Sequence, residues 1–339
     1  MRPLALALTT ILALLASAAG RAQSYPDPRV DELLTRGADA MMRHDYAAAE
    51  RAYSALRSEY PILPFGDCLL ASLELRRAED ADVAVDRGAV GRLLANALLA
   101  VDKLVDEGER DPWRLYAAGL VNGYAAYHAA TSGEWLDAAD YGAETLDYFE
   151  RCLERDPNNR EAQVAVGVYD YWISAKVGSW SPFAEDRTDE ALRRLERAVS
   201  KTRYHAFVAL NALVWIYIDE GNPRKAVRFA DTWLARYPGN RDLLWAKARA
   251  LEDYDRRAAN EIYDLVASSF LETEGAIPPT VRVTLAHKKA MNLAELGEPH
   301  AATKLLDDVL LARDIPDQAL RRKADRLERM RELREELND

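Results

Sequence analysis

Cysteine, histidine and glycine are scarce: the 339 residues hold two, five and 16 of them. Two cysteines cannot frame a small disulfide scaffold. The histidines, His44, His128, His205, His287 and His300, never fall at metal-ligand spacing, and no HExxH or paired-cysteine motif is present. No GxSxG elbow and no phosphate-cradling glycine loop occurs, and Gly88-Ala89-Val90-Gly91 reads as a turn ahead of a helix. The sequence therefore points to no catalytic residue, no metal and no cofactor, and an enzyme is not expected. Positive charge is also short, with 45 Lys and Arg against 56 Asp and Glu, a net charge of −11. A general nucleic-acid binder, which needs clustered Lys and Arg, is disfavoured. After the first 22 residues no apolar run is long enough to span a bilayer.

What is present is apolar and helix-forming. Hydrophobic residues make up 49% and charged residues 30%, enough to bury a core rather than stay disordered. Ala, Leu and Arg dominate, a helical composition. The chain opens Met1-Arg2-Pro3, then runs uncharged from Leu4 to Ala19 and closes on small residues to Ala22. This is the pattern of a secretory signal peptide over 1–22, cleaved after Ala22 or alternatively after Ala18 or Ala19. An uncleaved anchor helix is the other reading. No cysteine stands at the cleavage point to carry a lipid. Loss of Arg2 and Arg21 with the leader takes the charge from −11 to −13. The expected location is periplasmic or secreted. Export permits a Cys68–Cys152 bridge, but both cysteines lie in apolar helical patterns typical of buried thiols, so sequence leaves both states open.

A spacing recurs along the chain. Gly37, Ala49, Tyr53, Leu56 and Pro61 are matched in offset by Val214, Ala226, Ala230, Trp233 and Pro238, and by Ala290, Ala302, Leu306, Val309 and Asp314. The pattern is small, Ala, large, apolar, breaker, although Val214 and Ala230 invert its small and large positions. Two antiparallel helices need small residues where their backbones approach and apolar ones where each pair meets the next. A proline then ends the second helix. The pattern, best in 217–226, resembles the tetratricopeptide repeat family. That resemblance implies an all-α, right-handed solenoid of antiparallel helix hairpins, usually a protein- or peptide-binding scaffold. Repeats 30–61, 207–240 and 283–314 carry the pattern best. The stretch 64–202 reads as divergent hairpins, pairing 64–80 with 87–107, 112–131 with 135–155 and 160–176 with 187–201. About seven pairs fill 23–316. Residues 317–339 read as one charged capping helix with Leu320, Ala324, Leu327, Met330, Leu333 and Leu337 as its buried stripe.

Two surfaces are candidates for binding. In such arrays the first helix of each pair lines the concave side. Steps of three or four there select Asn211, Trp215 and Asp219, then Trp245, Arg249 and Glu252, then His287, Met291 and Glu295, with Met41 and Met42 in the first pair. Trp, Arg and Met are favoured at interfaces, though the tryptophans could equally fill seams between hairpins. Some family members grip a terminal carboxylate with paired Lys and Asn on this face. Asn211 and Arg249 have no such companions here, so that clamp is not carried over. The alternative is a small-ligand pocket at the long 177–186 connection. Trp180 and Phe183 lie in it, and Tyr169, Tyr171 and Trp172 on the helix before it. The competing reading has these aromatics plugging their own hairpin. The first surface leads to the expectation of a protein or peptide partner and the second to that of a small ligand, in neither case of an identity the sequence gives.

Overall fold

The computed structural model describes residues 24–106, 108–177, 188–204 and 206–338. The leader 1–22 and the loop residues Trp180 and Phe183 lie outside them. Sixteen helices are formed among the described residues, and no strand. In chain order they are α1 (Pro28–Met42), α2 (Tyr46–Glu59), α3 (Phe65–Asp80), α4 (Arg87–Leu104), α5 (Pro112–Ser132), α6 (Trp135–Arg155), α7 (Arg160–Val177), α8 (Thr188–Val199), α9 (Ala206–Asp219), α10 (Pro223–Leu234), α11 (Arg241–Glu252), α12 (Arg256–Glu274), α13 (Pro279–Glu295), α14 (Pro299–Leu310), α15 (Asp317–Arg322) and α16 (Ala324–Glu336). Each packs mainly on its chain neighbours, so the architecture is an all-α array of stacked antiparallel hairpins. None of the described helices is long and apolar enough to cross a membrane.

Local chemistry sets the ends. Asp27, Asp45, Asp86, Asp111, Asn240 and Asp255 each stand just before a helix and accept a backbone N–H of its first turn. Proline opens α1, α5, α10, α13 and α14, where its missing N–H has no bond to lose. Gly133 and Gly275 end α5 and α12 at φ of 84° and 72°, a conformation an L side chain resists.

The repeat is a rule about volume. At Gly37 an added Cβ would lie 2.1 Å from the Tyr53 ring, so the glycine exists to admit the tyrosine. Val214 and Ala230 are both fully buried in the next core and exchange the roles, large first and small second. Ala290 and Leu306 restore the original order. Cys68 and Cys152 are buried free thiols, and burial pushes the Cys152 thiol up to about 12.

The tail departs from the single helix expected. It breaks at Lys323 into α15 and α16. Lys323 and Arg322 reach Asp82 on the α3–α4 turn, the arginine at 3.1 Å. The break lets Leu327 and Met330 of α16 sink into a core with α13 and α14.

The array also folds back on itself. The carboxamide of Asn240, which caps α11, donates to Met42 O at the end of α1 at 2.9 Å. Thr280 at the start of α13 donates to Ala81 O at 2.9 Å. Arg203 reaches Asp31 of α1 at 2.8 Å. The first two hairpins thus dock on the fifth to seventh.

Candidate interaction site

The helices α7, α9 and α11 are the first members of three consecutive hairpins, and α9 lies against both of the others. Helix α9, AFVALNALVWIYID, has almost no polar face because it is hemmed in on most sides. Its remaining face carries Val208, Asn211, Ala212, Trp215, Ile218 and Asp219. With Val168 of α7 and Arg249 of α11, that face bounds a groove of about 520 Å³. Trp215 is 38% exposed, and its indole N–H donates to Asn211 Oδ1 at 3.1 Å, which fixes the ring along the groove. Arg249 donates to Asp253 at 2.7 Å and lies 3.9 Å from Glu252. Asp219 stands at the groove without an ion pair among the described residues. The arrangement offers an apolar trough, one aromatic rail, an amide and two charges of opposite sign. Among the described residues that line it there is no nucleophile–base pair.

The structure therefore brings Asn211, Trp215, Asp219 and Arg249 together and separates the other residues singled out by spacing. Trp245 is half-buried, with its ring centroid 5.3 Å from that of Tyr263, and fills a seam. His287 is not on an open face, and that expectation is corrected: it is 5% exposed, because Arg326 of α16 covers it and donates to its Nδ1 at 3.0 Å. Burial first, then the charges of Arg326, Arg329 and Lys288, push its pKa down to about 4, so the ring is neutral. Met291 is exposed, outside the groove. Glu252 is occupied by Tyr263 and Lys288, and Met42 is buried in the second core. Of the alternative pocket, Tyr171 is likewise corrected: it is 1% exposed inside that core, while Tyr169 is half-buried. The side chains of Trp172, Trp180 and Phe183 lie outside the described residues.

Spacing along helices did not reveal a buried polar cluster at the closure of the array. Arg241 is fully buried, as is the Asp80 carboxylate it holds through Nε at 2.9 and 3.0 Å and through Nη2. Its other donors go to Thr273 at 2.8 Å and Glu274 at 2.8 Å, and its guanidinium lies 4.0 Å from the Phe270 ring centre. His44, held at a φ of 55°, accepts the Arg241 backbone N–H on Nε2 at 3.1 Å. That bond requires a neutral imidazole with its proton on Nδ1, facing Tyr46 and Asp80. Burial, opposed by Asp80, likewise pushes the His44 pKa down. For Asp80, burial acts to raise the pKa, but hydrogen bonds from His44 and Arg241 hold it well below the usual carboxylate range. A His–Asp pair of this kind resembles a catalytic dyad. Here both side chains are sealed from solvent, and their bonds to Arg241 tie the ends of α1 and α3 to the start of α11 as a latch. Among the described residues no group of three or more His, Cys, Asp or Glu side chains could hold a metal ion.

No family model and no curated protein matches the sequence. Among solved structures, the chain is similar to the C-terminal part of a TPR repeat-containing protein from Cytophaga hutchinsonii. Identity is 14% and the TM-score 0.41, with 85% of this chain and 98% of that one covered. It is also similar to a tetratricopeptide repeat protein from Parabacteroides merdae, at 14% identity and a TM-score of 0.37, covering 92% and 100%. These likenesses are distant, and it is the chain's own helices that make it an all-α array of stacked hairpins.

Proposed function

We propose that the chain is an exported, non-enzymatic scaffold that binds a protein or peptide of the cell envelope along the α7–α9–α11 groove. One observation carries this reading. Four residues chosen by their spacing, Asn211, Trp215, Asp219 and Arg249, line a single open groove floored by apolar side chains. A groove of this shape suits an extended segment whose apolar side chains enter the trough while its backbone meets Asn211. Export rests on the 1–22 leader pattern alone. The small-ligand reading is weaker, because Tyr171 is committed to the core.

The test is a pull-down from envelope extract with the wild-type chain and with Trp215→Ala and Asn211→Ala as separate baits. The expected result is one specific partner, lost or strongly reduced with both variants while their far-UV circular dichroism is unchanged. Equal recovery by folded variants would remove the groove from the interaction.

A further inference from the structure

A second groove, of about 460 Å³, opens where the closed array brings α1 against Arg203, Tyr204 and Ala206 and the residues that follow α10. It shares no lining residue with the Trp215 groove. Four arginines line it: Arg36 and Arg43 from α1, Arg203 ahead of α9, and Arg236 after α10. Two are engaged internally. Arg203 donates to Asp31 at 2.8 Å and Thr35 at 2.9 Å, and Arg43 donates to Asp39 at 2.8 Å.

The other two are available. Arg36 has one long contact, 3.4 Å, to a Glu32 carboxylate that Arg29 already holds at 2.9 Å, and its side chain is 65% exposed. Arg236 has no carboxylate at ion-pair distance among the described residues. Its guanidinium instead rests 5.2 Å from the centre of the Tyr237 ring, and so does that of Arg43. Two acids, Asp39 and Asp45, also line the groove, and Asp39 accepts from both Arg43 and the Tyr237 hydroxyl and feels the charge of Arg236. Four arginines against two carboxylates still leave the lining two positive charges in excess, in a chain whose net charge is −11.

We propose that this groove binds an acidic peptide segment, whose carboxylates Arg36 and Arg236 receive. A guanidinium fork matches a carboxylate with two parallel N–H bonds, and Ala38 and Ala48 in the wall give the peptide's carbon chain an apolar rest. A nucleic-acid strand fits less well. The Tyr237 ring already carries two guanidiniums and Tyr204 is turned edge-on to Trp113, so neither ring serves as a stacking platform.

Fluorescence anisotropy with a fluorescein-labelled hexaglutamate peptide at low ionic strength tests this. The wild-type chain binds the peptide. R36E/R236E loses at least about tenfold in affinity and R36Q/R236Q about fivefold, the second carrying the test if the first does not fold. R228E, which reverses an exposed arginine of α10 outside the groove, and W215A each stay within about twofold. The proposal is overturned if the wild type does not bind the peptide or if both arginine pairs leave affinity unchanged. It is equally overturned if R228E or W215A matches their loss, or if a labelled hexathymidylate binds as tightly as the peptide.

Discussion

Removing the Asp80 carboxylate should unlatch the array. In Asp80→Ala the Arg241 guanidinium, fully buried, loses its bonds through Nε and Nη2 and keeps only Thr273 and the half-exposed Glu274. Tyr46 Oη, which donates to Asp80 at 2.8 Å, loses its acceptor as well. Breaking a buried ion pair from one side costs about 3–5 kcal/mol, because the remaining charge is uncompensated. Arg241→Met strands the carboxylate instead and costs a similar amount. The double variant Asp80→Ala/Arg241→Met leaves no stranded charge, so it should cost about as much as either single change rather than their sum. Urea unfolding followed by far-UV circular dichroism gives each stability by linear extrapolation. Single losses below about 1 kcal/mol, or additivity within about 0.5 kcal/mol, would refute the latch. The pH dependence has a definite sign. The Asp80 pKa is lower folded than unfolded, so its contribution is complete above about pH 4 and is lost as pH falls toward the folded value. Asp80→Asn removes that acid limb.

Other perturbations separate packing from binding. Gly37→Ala forces a methyl into the Tyr53 ring and should destabilise the chain by about 1–3 kcal/mol, read as a lower urea midpoint. His287 titrates at about 4 when folded and near the ordinary 6.5 when unfolded, so stability falls as pH drops through that interval, by at most about 3 kcal/mol. His287→Gln should flatten the midpoint-versus-pH curve there; an unchanged slope would show that α16 does not seal the ring. Trp215→Ala removes a side chain that is 38% exposed and should move the thermal midpoint by only a few degrees. A large drop would place Trp215 in the core rather than on a binding face.

Much of the architecture was legible because hairpin packing leaves a local record. The offsets from Gly37 to Tyr53 and from Ala290 to Leu306 mark close approaches that the structure contains. The inversion at Val214 and Ala230 weakens the motif but keeps both positions fully buried in one core. What was hidden is long-range. Asp80 and Arg241 lie on α3 and α11 and meet only because the array closes, and helical periodicity carries no information about closure. The signal available was local: Asn240-Arg241 placed at a helix start, where an arginine is opposed by the dipole and needs a reason to be there. His287 was misplaced for the same cause: stepping by three or four finds a helix face but not what lies over it, and here α16 covers it. Tyr171 was chosen for its nearness to the 177–186 connection, which carries no information about the second core that holds it. The break at Lys323 was equally invisible, since the apolar stripe continues through it and its partner Asp82 sits on a distant turn.

Site-specific photo-crosslinking tests the central claim most directly. A benzophenone amino acid replaces Ala212 in the groove or, as a control, the exposed Glu261 of α12 outside it. The account predicts a discrete protein or peptide adduct from position 212 and none from 261, with the crosslinked segment identified by mass spectrometry. Adducts of equal yield at both positions, or none at 212 from a folded chain in its native compartment, would contradict it.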